Sequence, residues 1–311
     1  MAGQEHRRGR NWAEWAQNRW VWAGFAMPGI IWLSLLFLVP FYTVLAIAGG
    51  QLNAIFQSPE PVWNPLHWTG ANFAAVFHDL FGQASFVLPI FFRTLGYVAI
   101  ASVLSLLIAY PAAYFVTRFA GRRKLLFLAL LIAPFWISYM MRMLAWIDLL
   151  QTNGYVNRAL LDLHLISQPV NWLGGKPATV ILGLVYGYIP YLILVLYAGL
   201  DRIDQRLLEA GRDLGLNRAQ TFLRVTLPLS RQAVLTGMLI TALPMMGDYF
   251  TNQLLSGASS TAMIGNVIDG QLNTSSQEAQ GAVLALLLLV FLLVPMLYYV
   301  AKTRRTTVEA F

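Results

Sequence analysis

The sequence contains 311 residues with a mean hydropathy of +0.59, and only 11% of its residues are charged. Soluble domains carry about 25% charged residues, so this composition excludes an ordinary soluble protein. The chain has no cysteine, which excludes disulfides and thiolate metal sites, and its four histidines lack the spacing of metal ligands. The composition predicts an integral membrane protein without a metal site.

Six apolar segments are long enough to cross a bilayer. A hydrocarbon core of about 30 Å needs roughly 20 apolar residues in a helix, and backbone groups in lipid must be hydrogen-bonded within their own segment. Each segment is therefore predicted to be a transmembrane helix in an all-α integral membrane fold. The predicted spans cover about residues 24–48, 93–117, 125–149, 178–200, 231–254 and 280–301.

The basic residues are unevenly distributed among the connecting segments. All but four of the 21 Lys and Arg residues lie in the two tails or in the loops after the second and fourth spans. Because short cytoplasmic loops carry the excess of positive charge, both termini are predicted to be cytoplasmic. This topology accounts for the net charge of +7, so no nucleic-acid partner is expected.

The chain is predicted to have three parts: a cytoplasmic tail or interfacial helix over 1–22, a transmembrane domain over 23–305 and a cytoplasmic tail over 306–311. The first span exceeds the roughly 7–15 residues of a secretory signal, so it is expected to remain as an anchor. Four tryptophans near Arg19 suit the headgroup layer and favour an interfacial helix over a disordered tail. They are Trp12, Trp15, Trp20 and Trp22.

A polar stretch, EAGRDLGLNRAQTFLRVTLPLS, separates the fourth and fifth spans from Glu209 to Ser230. Gly215 is placed where a helix C-terminal turn favours glycine, and Asn217 with Gln220 matches a capping box. The loop over 201–230 is therefore predicted to be a helix, a turn and a second helix. Apolar residues follow one face of the first helix: Ile203, Leu207, Ala210 and Leu214. An interfacial amphipathic loop would show the same pattern.

The spacing of this loop resembles the EAA signature of inner-membrane permease subunits of binding-protein-dependent ABC importers. The match runs through Glu209-Ala210-Gly211, Gly215, Val225 and Leu227-Pro228, with Gly211 in place of Ala and Val225 in place of Ile. The resemblance implies that the loop is a coupling helix pair inserted into a groove on an ATPase subunit. It assigns ATPase coupling to Leu207, Glu209, Ala210, Gly211, Leu214, Gly215, Leu227 and Pro228.

Within that loop, Leu207, Ala210 and Leu214 are the candidates for apolar docking, because a helix in a groove buries an apolar face inside a charged rim. Glu209 is the candidate for a charge contact and Gly215 for the turn.

The resemblance extends over roughly residues 20–305 and is closest to a permease subunit of spermidine/putrescine-type importers. Residues 134–138, 243–250 and 263–268 carry it, although importers for opines or ferric iron share parts of these stretches. It implies import of a small cationic solute, such as a polyamine, across a bacterial inner membrane. The implied partners are a second similar permease, a dimer of ATPase subunits, an extracytoplasmic substrate-binding protein and membrane lipid.

This chain is expected to contribute no catalytic residue and to bind no cofactor itself. It lacks a Walker A loop, since Gly175-Lys176 has neither the upstream glycine nor a following Ser or Thr. ATP and Mg²⁺ are therefore expected on the partner ATPase. The motifs of membrane proteases and hydrolases are also missing. A secondary transporter or channel is the remaining alternative, in which intramembrane charges would bind ions.

Two carboxylates are candidates for the substrate pathway. Asp248 follows Pro244 in the fifth span and Asp148 lies near the outer end of the third. A carboxylate at membrane depth costs on the order of 2.5–3.5 kcal/mol, so it normally faces a partner or an aqueous path. Asp248 could instead pair with Arg142 or receive hydrogen bonds from a broken helix, and Asp148 could be an interfacial charge.

Aromatic residues in the same region could attract ammonium groups through their ring faces. Trp136, Tyr139 and Tyr249 are the first candidates, with Tyr186 and Tyr188 nearby, although interfacial belts also collect Trp and Tyr. Pro190 and Pro244 predict broken helices that face the pathway. Gly183 and Gly187 form a GxxxG pair that permits close contact with another helix, whether in this chain or in a partner permease.

Overall fold

The structure is a computed structural model that describes residues 19–52, 59–82 and 85–308. In this part of the chain a two-residue antiparallel pair, β1 (Gln51–Leu52) with β2 (Pro59–Glu60), accompanies thirteen α-helices. The helices are α1 Arg19–Ala48, α2 Ala71–Phe81, α3 Val87–Arg118, α4 Lys124–Ile132, α5 Tyr139–Leu150, α6 Tyr155–Asp162, α7 Pro177–Asp201, α8 Gln205–Asp213, α9 Arg218–Thr221, α10 Leu227–Met246, α11 Phe250–Leu255, α12 Ile264–Leu272 and α13 Glu278–Val308.

Among the described residues, four helices are long and apolar enough to cross a membrane, namely α1, α3, α7 and α13. Residues 121–136 and 139–162 provide a fifth span if the two segments, which are bent by 84°, count as one. Helix α10 is not among them, because Ser230, Arg231 and Gln232 interrupt its apolar run. The six-span prediction is therefore not confirmed, and the cytoplasmic position of the termini stays a prediction.

The predicted third span is broken, so the prediction of one helix over 125–149 is wrong. Helix α4 ends at Ile132, a 3-10 turn covers Ala133–Trp136, and α5 begins at Tyr139. Pro134 lacks the N–H that a continuing helix requires. Ser138 then caps α5 by accepting a hydrogen bond from the Met141 N–H at 3.3 Å. The segments on either side of this break are bent by 84°.

The predicted fifth span over 231–254 is broken just after Pro244, as expected for that proline, whereas α7 continues through Pro190, so the break predicted there is wrong. Helix α10 begins earlier, at Leu227, and ends at Met246, and the short α11 begins at Phe250. Pro244, in the last turn of α10, cannot donate a backbone hydrogen bond. The break leaves Asp248 between two helices, where its side chain is buried.

Helices α3, α7 and α10 form the centre of the bundle, with α3 packed most extensively against α7. Small residues allow the close approach of α7 and α10, because a side chain at Gly199 would collide with Ala233 and one at Gly237 would collide with Leu192. Such small-residue contacts are a principal means of packing helices in membranes, where lipid is as apolar as the side chains.

Gly183 and Gly187 serve contacts within this chain rather than with a partner. A Cβ atom at Gly183 would press on the side chains of Thr251 and Leu255 in α11, and one at Gly187 would press on the ring of Tyr139 in α5. The suggestion that this GxxxG pair contacts a second permease is therefore wrong. The pair instead lets α5 and α11 approach α7.

Helix α1 stands apart from the bundle with most of its apolar side chains exposed, and it packs mainly against α13. The predicted interfacial helix lies largely outside the described residues, which begin at Arg19. At the other end, α13 extends to Val308, beyond the predicted span end at residue 301.

Two buried or half-buried polar side chains hold loops at the end of the bundle opposite residues 201–230. Arg93 on α3 donates to the carbonyl oxygens of Ala262 at 2.9 Å and Ser260 at 2.6 Å. Asn157 is 1% exposed, donates to the carbonyl of Val170 at 2.9 Å and accepts from its N–H at 3.1 Å. Arg93 therefore anchors the loop that precedes α12 to α3.

We expect Gly183→Val to lower the thermal unfolding midpoint of the detergent-solubilised protein. The new side chain would overpack the contact of α7 with Thr251 and Leu255, which typically costs about 1–3 kcal/mol. Gly96→Val is the matched control, since Gly96 lies in α3 with nothing within 4 Å of its added Cβ. Equal midpoints for both variants would contradict the assigned packing.

Candidate functional site

The coupling segment begins where α7 ends and consists of α8, a tight turn and α9. Asp204 caps α8 by accepting a hydrogen bond from the Arg206 N–H at 2.9 Å. At the other end, the N–H of Leu216 donates to the Gly211 carbonyl at 3.1 Å and the N–H of Gly215 donates to the Arg212 carbonyl at 2.8 Å. This pair of bonds is a Schellman motif, and Gly215 adopts the left-handed φ of 88° that it requires.

The predicted capping box is present at the start of α9. Asn217 accepts from the Gln220 N–H at 2.8 Å, and Gln220 accepts from the Asn217 N–H at 3.0 Å. A π-helical turn, Phe222–Thr226, then connects α9 directly to α10. The coupling segment therefore lies between the ends of two long helices, α7 and α10.

Exposure divides the predicted coupling residues into two groups. Leu214 is 86% exposed and Leu207 is 49% exposed, and the other exposed members are Glu209, Ala210, Gly215, Leu227 and Pro228. Gly211 is buried, as is Leu208, which the sequence pattern missed. Ile203, which the periodicity placed on the same apolar face, is instead buried in the core with α3 and α7. Leu207, Ala210 and Leu214 thus remain available to a partner.

The two positions that depart from the EAA signature lie against each other. A methyl group at Gly211 would lie 3.4 Å from a Leu216 side-chain carbon and 3.6 Å from one of Val225, both ordinary contact distances. The site accepts either small residue without a clash. The departures therefore leave the packing of α8 on the π-helical turn intact.

A second candidate site is a cavity of about 460 Å³ formed where the two broken spans meet α7. Six of its thirteen lining residues are aromatic, and its walls carry one carboxylate and one guanidinium. The main lining residues are Phe135, Tyr139, Arg142, Tyr188, Tyr191, Asp248, Tyr249 and Phe250.

Asp248 is the most fully hydrogen-bonded side chain of this cavity. One carboxylate oxygen accepts from the hydroxyls of Tyr139 at 2.9 Å, Tyr188 at 3.0 Å and Thr251 at 2.7 Å. The other oxygen accepts from the Thr251 N–H at 2.9 Å. These donors come from α5, α7 and α11, so Asp248 joins three helices. The sequence left open whether Asp248 pairs with Arg142 or receives hydrogen bonds at a broken helix. The second alternative describes the surroundings seen here.

Arg142 lies in the same cavity wall but does not pair directly with Asp248. Its guanidinium carbon lies 4.1 Å from the ring centre of Phe135 and 5.5 Å from that of Tyr139. In the described part of the chain no carboxylate oxygen lies within 4.0 Å of its nitrogens. The proposed Asp248–Arg142 ion pair is therefore absent from this structure.

The structure brings together three of the five predicted pathway residues, since Tyr139, Asp248 and Tyr249 all line the cavity. Trp136 and Asp148 do not line it; both are exposed, Trp136 by 85%. Thr251 was not predicted from the sequence. An acidic side chain just before a helix commonly accepts hydrogen bonds from the residue three positions later, so the spacing of Asp248 and Thr251 was a usable signal. In the described residues no three His, Asp or Glu side chains cluster in a way that could hold a metal.

Residues 67–308 match the family described as binding-protein-dependent transport system inner membrane component. The chain belongs to this family. It is thus an inner-membrane component of a transport system, and the match points to no enzyme family.

Curated relatives are similar in sequence to this transport component over most of their length. It is 33% identical over 272 residues to the spermidine/putrescine transport system permease protein PotB of Haemophilus influenzae, covering 87% of this chain and 90% of that one. It is also 33% identical over 238 residues to PotB of Escherichia coli, covering 75% and 86% respectively.

Solved structures give the same fold. A chain of a bacterial ABC transporter for the acidic polysaccharide alginate superposes with a TM-score of 0.67 at 20% identity, covering 95% of this chain and 99% of that one. A chain of the MetNI methionine ABC transporter superposes with a TM-score of 0.52 at 15% identity over 70% and 95%. At such identities these similarities establish the fold of the transport component.

We expect Asp248→Asn to destabilise the protein more than Tyr188→Phe does. An asparagine presents an NH₂ group where donors already point, whereas Tyr188→Phe removes one hydrogen bond worth about 0.5–1.5 kcal/mol, or more to a charged acceptor. Thermal unfolding of the purified protein measures both effects. Asp162→Asn, at an exposed position, should leave the thermal midpoint unchanged. If it lowered the midpoint as much as Asp248→Asn does, the effect of Asp248→Asn could not be assigned to its buried hydrogen bonds.

Proposed function

We propose that this chain is a permease subunit of an ATP-driven importer for a small cationic solute of the polyamine class. The observation that carries the proposal is the similarity to PotB, which covers about nine-tenths of both chains. Residues 134–138, 243–250 and 263–268, which carry the sequence resemblance to polyamine permeases, lie in or beside the broken spans that form the Asp248 cavity.

The chemistry of the cavity supports a cationic solute. Its tyrosine and phenylalanine rings offer π faces to ammonium groups and apolar surface to the methylene segments between them. Asp248 supplies a carboxylate, and an arriving ammonium group would compete with the hydroxyls of Tyr139 and Tyr188 for it. On this proposal Asp248, Tyr139 and Tyr249 contact the solute in the cavity, while Trp136 and Asp148 contact it at other points of the path.

We propose that the coupling segment docks on a partner ATPase through Leu207, Ala210 and Leu214, with Glu209 at the rim. The exposed apolar side chains of α8 and its turn support this, because exposed leucines beside polar residues suit a groove contact. ATP and Mg²⁺ are bound by the ATPase dimer, and this chain contributes the moving helices rather than a catalytic group.

The proposed assembly contains a second, similar permease, two ATPase subunits and an extracytoplasmic substrate-binding protein. Six membrane segments with both termini in the cytoplasm complete the topology, the third and fifth segments being the broken ones. The distribution of basic residues supports this orientation.

ATP hydrolysis by the reconstituted complex, assembled with the neighbouring subunits and binding protein, tests the solute. Spermidine and putrescine should stimulate hydrolysis, whereas neutral and anionic controls should not. Stimulation by another solute alone would refute the polyamine assignment and retain the permease. Failure to assemble with any ATPase would refute the importer itself.

We expect Leu214→Asp and Leu207→Asp to prevent association with the ATPase subunits without unfolding the permease, because both side chains are exposed. Leu208→Asp should instead lower the thermal midpoint, since Leu208 is 5% exposed. Co-purification and thermal unfolding separate the two effects. Leu165→Asp, exposed on a loop outside the coupling segment, should retain the ATPase; loss of binding there would contradict a localised docking face.

A further inference from the structure

The break between α10 and α11 leaves a short stretch of backbone outside regular helix. Residues 247–249 lie between the end of α10 at Met246 and the start of α11 at Phe250. This stretch carries two side chains that line the cavity, the carboxylate of Asp248 and the ring of Tyr249. The positions of both groups in the cavity therefore depend on the contacts that hold this backbone.

The start of α12 packs against the broken segment through Gly265, which is buried. A Cβ atom added to Gly265 would lie 2.6 Å from the carbonyl oxygen of Gly247 and 2.8 Å from that of Asp248. Both are backbone atoms, which cannot rotate away as the end of a long side chain can. Any larger residue at this position would therefore displace the backbone that carries the Asp248 carboxylate.

Asn266 makes the second contact with the broken segment. Its Nδ2 donates to the carbonyl of Tyr249 at 2.8 Å, and its Oδ1 accepts from the Met263 N–H at 2.9 Å. The bond from Met263 caps the start of α12 and needs only an oxygen. The bond to Tyr249 needs the NH₂ group and joins α12 to a residue 17 positions earlier. The asparagine therefore does more than cap its own helix.

The start of α12 is itself attached to α3, which lies at the centre of the bundle. The hydroxyl of Thr94, a fully buried residue, accepts from the Ile264 N–H at 2.8 Å. Arg93, the neighbouring residue on α3, donates to two carbonyl oxygens of the loop that precedes α12. A series of contacts thus connects α3 with the broken segment through the start of α12.

We propose that Gly265 and Asn266 are positioning residues of the cavity. By holding the backbone of the broken span, they set the places of the Asp248 carboxylate and the Tyr249 ring, although neither is among the residues that line the cavity. The inference rests on the proposed function only where it concerns the solute. If a cationic solute binds in the cavity, its recognition depends on two residues that it does not touch.

A cysteine in the cavity tests the positioning without any solute. The chain has no cysteine, so Phe250→Cys places a single thiol at a lining position beside the broken segment. The neutral reagent methyl methanethiosulfonate measures how accessible this thiol is. We expect Gly265→Ala and Asn266→Ala each to change the reaction rate at least about five-fold, a factor that corresponds to about one hydrogen bond.

Two matched variants on α12 are the controls. Gly270→Ala adds a Cβ atom with nothing within 4 Å, and Asn273→Ala removes an amide that donates to Asp269 of the same helix. Both should react at the rate of the Phe250→Cys parent. If Gly265→Ala fails to fold, Asn266→Ala decides the question, because it introduces no clash. A parental rate in Asn266→Ala would refute the positioning role.

Asn266→Asp separates holding the broken segment from capping α12. The carboxylate keeps the capping oxygen and suits a helix N-terminus, but it turns an oxygen toward the Tyr249 carbonyl. In the reconstituted complex we expect spermidine to stimulate ATP hydrolysis at least about five-fold less than with the wild type. A capping role alone predicts wild-type stimulation. Asn171→Asp, which adds the same charge at an exposed loop position, should be stimulated normally.

The two experiments keep the positioning role and the proposed function apart. If no polyamine stimulates the wild-type complex, the polyamine assignment fails, and the reaction of the Phe250→Cys thiol still decides whether Gly265 and Asn266 position the cavity. If spermidine stimulates the wild type and Asn266→Asp equally, the solute assignment stands and the role of Asn266 in recognition is refuted.

Discussion

The buried carboxylate of Asp248 is the interaction on which the central part of this structure depends. It draws hydroxyl groups from α5 and α7 and both polar groups of Thr251 in α11 to one point. Without it, the hydroxyls of Tyr139, Tyr188 and Thr251 would lose the acceptor that they share at the place where two spans are broken. The glycines of α7 have the complementary role, since they provide the room in which Tyr139 and Thr251 reach the carboxylate.

Helix α10 connects this junction with the coupling segment. It begins at Leu227, directly after the π-helical turn, and ends at Met246, two residues before Asp248. Twenty residues of α-helix extend about 30 Å, roughly the thickness of a bilayer core. Gly237 also brings it into close contact with α7. One continuous helix and its neighbour therefore connect the coupling segment with the Asp248 junction.

Local signals in the sequence predicted the coupling segment well and the cavity only in part. The turn at Gly215 and the capping box at Asn217 depend on residues within a few positions of each other, so spacing alone identified them. The donors to Asp248 include residues 60 and 109 positions away, and no periodicity in one sequence relates such positions. Pro244 predicted the break in the fifth span, but the break near Pro134 was not predicted, and α7 continues through Pro190 where a break was expected. The small residues of α7 predicted close contact without indicating which helix would make it.

The π-helical turn at Phe222–Thr226 determines the direction in which each side chain of α10 faces. A π turn accommodates one extra residue, and each residue of an α-helix rotates the next by about 100°. The extra residue thus orients α10 so that Ser230 meets the hydroxyl of Tyr110 at 2.8 Å and Gly237 faces Leu192. If this turn tightened to α-helix during the transport cycle, every side chain of α10 would change the neighbour it faces. A local change of winding beside the coupling segment would then become a rotation along the whole helix.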